Sequence, residues 1–158
     1  MFVKRKRRIM PNPHIEDGIE RLRTYWPQTH AENNETGSHL ITVPSVRVPK
    51  GWITYVDGKP VDCTICTVLF VAPPGFPAAV PSNFFTDIEM RLALPKNQIP
   101  KNTHSAGKQS NAQYLAQLGW PQWAECKWWK WNVQMWNPNQ SSLFTFVKSI
   151  QQRFQLLT

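Results

Sequence analysis

Apolar residues at Ile15, Ile19, Leu22 and Trp26 recur at steps of four, three and four, which places them on one stripe of a short helix. Gly18 weakens that helix and Pro27 ends it. The polar segment QTHAENNETGS leads into HLITVPSVRV, where Leu40, Ile41, Val43, Val46 and Val48 predict a strand. Pro44 cannot donate to a ladder, so this strand is expected to bend or to lie at an edge. Asp57-Gly58 signals a turn, and the following CTICTVLFVA, apolar on both faces toward its end, predicts a central strand. PPGFPAAVP forbids regular structure. After it FFTDIEMRLAL alternates, with Ile88, Met90, Leu92 and Leu94 opposite Asp87, Glu89 and Arg91, as in a strand with one wet side.

Residues 95–107 carry little apolar content and read as a long loop, a kind of segment that is often functional. SNAQYLAQLGW predicts a helical turn or two, capped by Ser110 and ended by Gly119. Ser141-Ser142 cap a final helix whose stripe is Leu143, Phe146, Val147, Ile150, Phe154 and Leu157. The order is N-terminal helix, antiparallel β-meander, irregular segment, C-terminal helix, which is an α+β domain. Length fits one domain, over residues 13–158, preceded by a basic flexible tail over 1–12.

Charge changes the picture little beyond that tail. The formal net charge is +8, but Lys4, Arg5, Lys6, Arg7 and Arg8 supply five of it, leaving +3 for the rest. Such a run attracts nucleic acid, acidic lipid or an acidic protein, or simply solubilises the chain. It is not followed by an apolar signal-peptide core, and no stretch is long and apolar enough for a membrane span, so a cytoplasmic protein is expected. Three cysteines do not make a disulfide framework, in keeping with a reducing compartment. Cys63 and Cys66 stand three apart in a β-branched run, where they would face opposite sides, and no matching ligand pair exists. Neither a metal nor a cofactor is therefore expected. Glycine-rich phosphate loops, G-x-S-x-G and H-E-x-x-H are lacking from the sequence.

The densest chemistry is WAECKWWKWNVQMW, residues 123–136, with five of the eight tryptophans around Cys126, Lys127 and Lys130. Read from residue types alone, the indoles are core packing, a protein-docking face or a stacking platform for unpaired bases. Sparse positive charge and the intervening Glu125 count against nucleic acid.

VAPPGFPAAVP, with Phe76-Pro77 and the later Pro81, followed by Trp136, Pro138 and the helix from Leu143 to Phe154, resembles the ubiquitin-conjugating (UBC) enzyme superfamily over residues 38 to 155. Within it the chain looks most like divergent bacterial UBC-like proteins, in which an L-P-P-G-Y-P-type segment precedes a W-x-R-H element and then W-x-P-G. Trp129-Lys130-Trp131-Asn132 matches the W-x-R-H element loosely, with Asn132 where histidine stands. The His-Pro-Asn tripeptide of ordinary members is missing. Cys126 lies ten residues before Trp136 rather than eight, where Trp128 stands.

The resemblance implies a UBC-like fold in a bacterial ubiquitin-like conjugation pathway, with an activating enzyme and a ubiquitin-like protein as partners, and a link to antiphage defence. Its chemistry needs a nucleophile for an activated acyl group and a donor for the oxyanion. Cys126 is the candidate thiol, with Lys127 and Lys130 placed to favour a thiolate, and a buried inert cysteine is the alternative. Asn132, Asn102 or Asn111 can donate to the oxyanion, and His104 can relay a proton. Thr103, Ser105 and Ser110 are hydroxyl alternatives that would carry an oxyester. Trp128, Trp129, Lys127, Lys130, Phe76 and Pro77 are the expected partner contacts. The competing function class is a protein-interaction or single-stranded nucleic-acid module with no covalent chemistry.

Overall fold

The structure, a computed structural model, describes residues 12–105 and 114–158. Its first helix, α1 (Pro13–Tyr25), starts where the Asn12 side chain accepts the His14 N–H and where proline occupies the first helical position. Ile15, Ile19 and Leu22 form its buried stripe, as the spacing predicts. Gly18 is buried with them: a Cβ there would lie 2.8 Å from the Leu143 side chain. The glycine that lowers helix propensity is what lets α1 approach the second helix.

The strands are β1 (His30–Asn33), β2 (His39–Arg47), β3 (Trp52–Val56), β4 (Lys59–Asp62), β5 (Ile65–Ala72), β6 (Ser82–Thr86), β7 (Arg91–Leu92), β8 (Thr103–His104) and β9 (Lys127–Asn132). Six of them make one antiparallel sheet in the order β1-β2-β5-β6-β9-β8, and β4-β3-β7 make a small second sheet. The C-terminal helix α2 (Leu143–Gln155) begins with a capping box in which the Ser142 hydroxyl accepts the Thr145 N–H. The fold is α+β, with a helix at each end and an antiparallel sheet between them.

Several elements differ from expectation. FFTDIEMRLAL is not one strand: the Asp87 carboxylate accepts the Thr67 N–H, the chain leaves the large sheet after Thr86, and Arg91–Leu92 pair with β3 instead. His30–Asn33, read as polar linker, is an edge strand with all four residues exposed. The segment expected to be irregular holds β9, paired on both sides by β6 and β8. Pro44 is accommodated by a bulge between Val43 and Val46 with Ser45 at φ 65°, so β2 bends while remaining internal. Cys63 precedes β5 rather than lying in it, so it reaches the same core as Cys66.

Alternation along the strands divides the core between the two faces of the large sheet. Ile41, Val43, Val68, Phe70, Phe84 and Trp129 face the helices and the small sheet, where Trp52, Phe146, Ile150 and Phe154 meet them. Leu40, Leu69, Val71 and Phe85 face the other way, covered by Leu115, Trp120 and Cys126. Among the described residues no helix is long and apolar enough to cross a membrane.

Candidate functional site

β9 sorts the tryptophan-rich segment between those faces. Trp129 is 1% exposed on the helix side; its ring stacks on Phe84 at 5.3 Å, meets Phe154 edge-on at 5.4 Å, and its indole N–H donates to Thr86 Oγ1 at 3.0 Å. Trp131 donates to Ser149 Oγ at 3.0 Å from the same side. Trp128 turns to the opposite face, half-buried, with the exposed His104 imidazole stacked on it at 4.8 Å. These indoles are packing first, because buried tryptophans are stable where the N–H finds an acceptor.

Cys126 sits on the Trp128 side, 3% exposed among Leu40, Leu69 and Phe85. Burial pushes its thiol up to about 12, and the Asp87 charge adds to the rise. The group is a neutral thiol near pH 7, not a thiolate. Lys127, expected to assist it, points to the other face, and Asn132 stands six residues further along β9, about 20 Å away at strand rise. Cys126, Asn132 and His104 are thus not gathered into one constellation: His104 is a cross-strand neighbour of Trp128, whereas Asn132 is exposed opposite Ser82.

Of the expected partner contacts, Lys127, Trp129 and Phe76 face inward, at 0%, 1% and 3% exposure, and reach no partner while the core is closed. Lys130 is exposed, with its backbone N–H on the Asn102 carbonyl, and Trp128 and Pro77 are half-buried. Thr103 donates its hydroxyl to the Pro100 carbonyl at 2.8 Å. Lys4, Arg5, Lys6, Arg7, Arg8, Ser110 and Asn111 lie outside the described residues.

Two built features emerge. First, the Trp136 indole N–H donates to the Pro77 carbonyl at 2.8 Å and its ring lies 5.8 Å from Phe76, so the proline-rich turn and the lead-in to α2 form one corner. Beside that turn a pocket of about 100 Å³ opens between Val71, Val80 and Leu118, lined also by Ser38, Pro73, Ser82 and Tyr114. It is about a third of the smallest volume typical of small-molecule sites.

Second, at the start of β9, Glu89 Oε1 accepts from Lys127 Nζ at 2.9 Å and from Ser105 Oγ at 2.7 Å, with Arg91 Nε at 3.6 Å. Lys127 is fully buried over the Trp129 ring; desolvation lowers its pKa, opposed by the Glu89 hydrogen bond and charge. Glu89 is the residue sequence reasoning passed over, since it reads there as one more polar position of an alternating strand. Nothing local to it in the sequence signals Lys127, which lies 38 positions away.

Among the described residues no group of three histidine, cysteine, aspartate or glutamate side chains is placed to hold a metal ion. Comparison with protein-family models, with curated proteins and with solved structures finds no match to this chain.

Proposed function

We propose that the chain is a UBC-like domain of a bacterial ubiquitin-like conjugation pathway, which engages the activated C-terminus of a ubiquitin-like protein without using Cys126 as the acceptor. The observation that carries the reading is the corner made by Phe76, Pro77 and Trp136. The two motifs on which the resemblance rests are 59 positions apart and are joined by one hydrogen bond and one ring contact. The helix at each end and the antiparallel sheet between them are compatible with it. The buried, protonated Cys126 moves the reading from thioester carrier toward docking or oxyester chemistry. Activating enzyme and ubiquitin-like protein are the partners, and antiphage defence is the proposed setting.

The test mixes the full chain with activating enzyme, ubiquitin-like protein and ATP from a bacterial conjugation system. A nucleotide-dependent complex or adduct that is unchanged in Cys126→Ala is expected. No association with either partner, with oligonucleotides instead quenching the tryptophan fluorescence at low salt, would move the protein to the nucleic-acid class.

A further inference from the structure

We infer that Ser105 is a nucleophile, taking the acyl group from a thioester donor as an oxyester with Glu89 as general base; the identity of the acyl group rests on the conjugation reading above. A serine hydroxyl attacks only when a base is within hydrogen-bond reach, about 2.6–3.2 Å. Ser105 Oγ donates to Glu89 Oε1 at 2.7 Å. The base must also be held in place, and Lys127 does this from beneath: it is 0% exposed and its Nζ lies 2.9 Å from the same oxygen. Lys127 is therefore a positioning residue. The cluster is partly solvent-exposed: 26% of the Glu89 side chain and 29% of the Arg91 side chain are exposed, and Ser105 is half-buried. Arg91, 3.6 Å from Glu89, puts positive charge next to the attacked carbonyl, where negative charge develops.

Strand register explains how the cluster forms. β8 pairs Thr103 with Trp129 and His104 with Trp128, so the next residue, Ser105, returns to the face that Lys127 occupies. In the reaction the Ser105 oxygen attacks the acyl carbon and its proton passes to Glu89. The carbon–sulfur bond of the donor then breaks, and the departing thiolate takes that proton. Thioester and alcohol become oxyester and thiol, with no oxidant or reductant.

A small donor, acetylglycine phenyl thioester, tests this on the full chain by intact mass and peptide mapping. One acyl group on Ser105 is expected, stable to dithiothreitol and released by alkaline hydroxylamine. It should be lost in Ser105→Ala, kept in Cys126→Ala, and formed about tenfold or more slowly in Glu89→Asp, which withdraws the carboxylate while preserving its charge for Lys127. Ser105→Cys should turn the adduct dithiothreitol-sensitive, which maps the acyl group to position 105. Acylation of lysine or Cys126 instead, or equal labelling of Ser105→Ala, overturns the inference. Partner binding without Ser105 acylation removes the nucleophile and keeps the conjugation reading; acylation without partner binding does the reverse.

Discussion

The two faces of the large sheet are built on different principles. On the helix side aromatic rings contact one another in series: Phe84 stacks on Trp129, Trp129 and Trp52 each meet Phe154 edge-on, and Phe70 lies 4.6 Å from Phe146. Their indole N–H groups end on fixed acceptors, Trp52 on the Phe154 carbonyl and Trp129 on Thr86. The opposite face is covered by the short segment from Leu115 to Cys126, carries the pocket beside the proline-rich turn, and leaves Trp128 partly open under His104. The helix face holds the fold together. The other face and the Glu89 rim are where surface chemistry remains accessible. Adjacent tryptophans, identical in type, therefore serve unlike purposes because strand alternation sends them to opposite sides.

That contrast breaks most visibly if the neighbouring indoles are removed in turn. Trp129→Ala takes away a ring touching Phe84, Trp52 and Phe154 and leaves a cavity, at a cost of about 3–5 kcal/mol. Trp128→Ala removes a half-buried ring and should cost less than half as much, while taking away the ring on which His104 stacks. Urea midpoints of the two variants, followed by circular dichroism, make the comparison. Equal losses would mean that the second face bears as much of the stability as the first.

Much of the helix side was legible in the sequence, because amphipathic stripes and a both-faces-apolar strand announce themselves by period. What was not legible had no period to offer. Lys127–Asn132 buries aromatics on both sides and so shows neither alternation nor a continuous aliphatic run. His30–Asn33 is an exposed edge whose one apolar residue is Ala31. The alternation at 87–92 was real but misleading, since Asp87 and Glu89 are fixed by partners from other strands that take the chain out of the sheet. For the candidate site, Ser105 was visible as a hydroxyl, whereas its partner Glu89 was not, because their approach depends on the register of β8 with β9. Gly18 shows the same limit: local propensity counts it against the helix, and only the packing shows its use. Gly18→Ala should raise intrinsic helicity yet destabilise by about 1–3 kcal/mol, because its Cβ would meet Leu143 at 2.8 Å. A raised melting temperature would mean that α1 and α2 can separate at little cost.

The thiols sharpen the comparison with a smaller effect, and they probe both faces. Burial raises Cys126 to about 12 on the open-sided face and Cys63 to about 11 on the helix face, each further raised by Asp87. Cys66, on the helix face, is also raised well above its ordinary value by burial. A group whose folded pKa lies above its unfolded value contributes stability that is full below the unfolded value and is lost as pH rises through the folded one. With the unfolded thiol near 9.0, that window opens at 9 and for Cys126 closes near 12. At pH 10 the unfolded chain gains on the order of 1 kcal/mol from ionising one thiol that the fold keeps neutral. Melting temperatures at pH 8 and pH 10 should therefore fall more steeply for the natural chain than for Cys126→Ala, which still carries Cys63 and Cys66. Identical slopes would mean that Cys126 ionises in place and that its face opens to solvent, which would return this thiol to the list of nucleophiles beside Ser105.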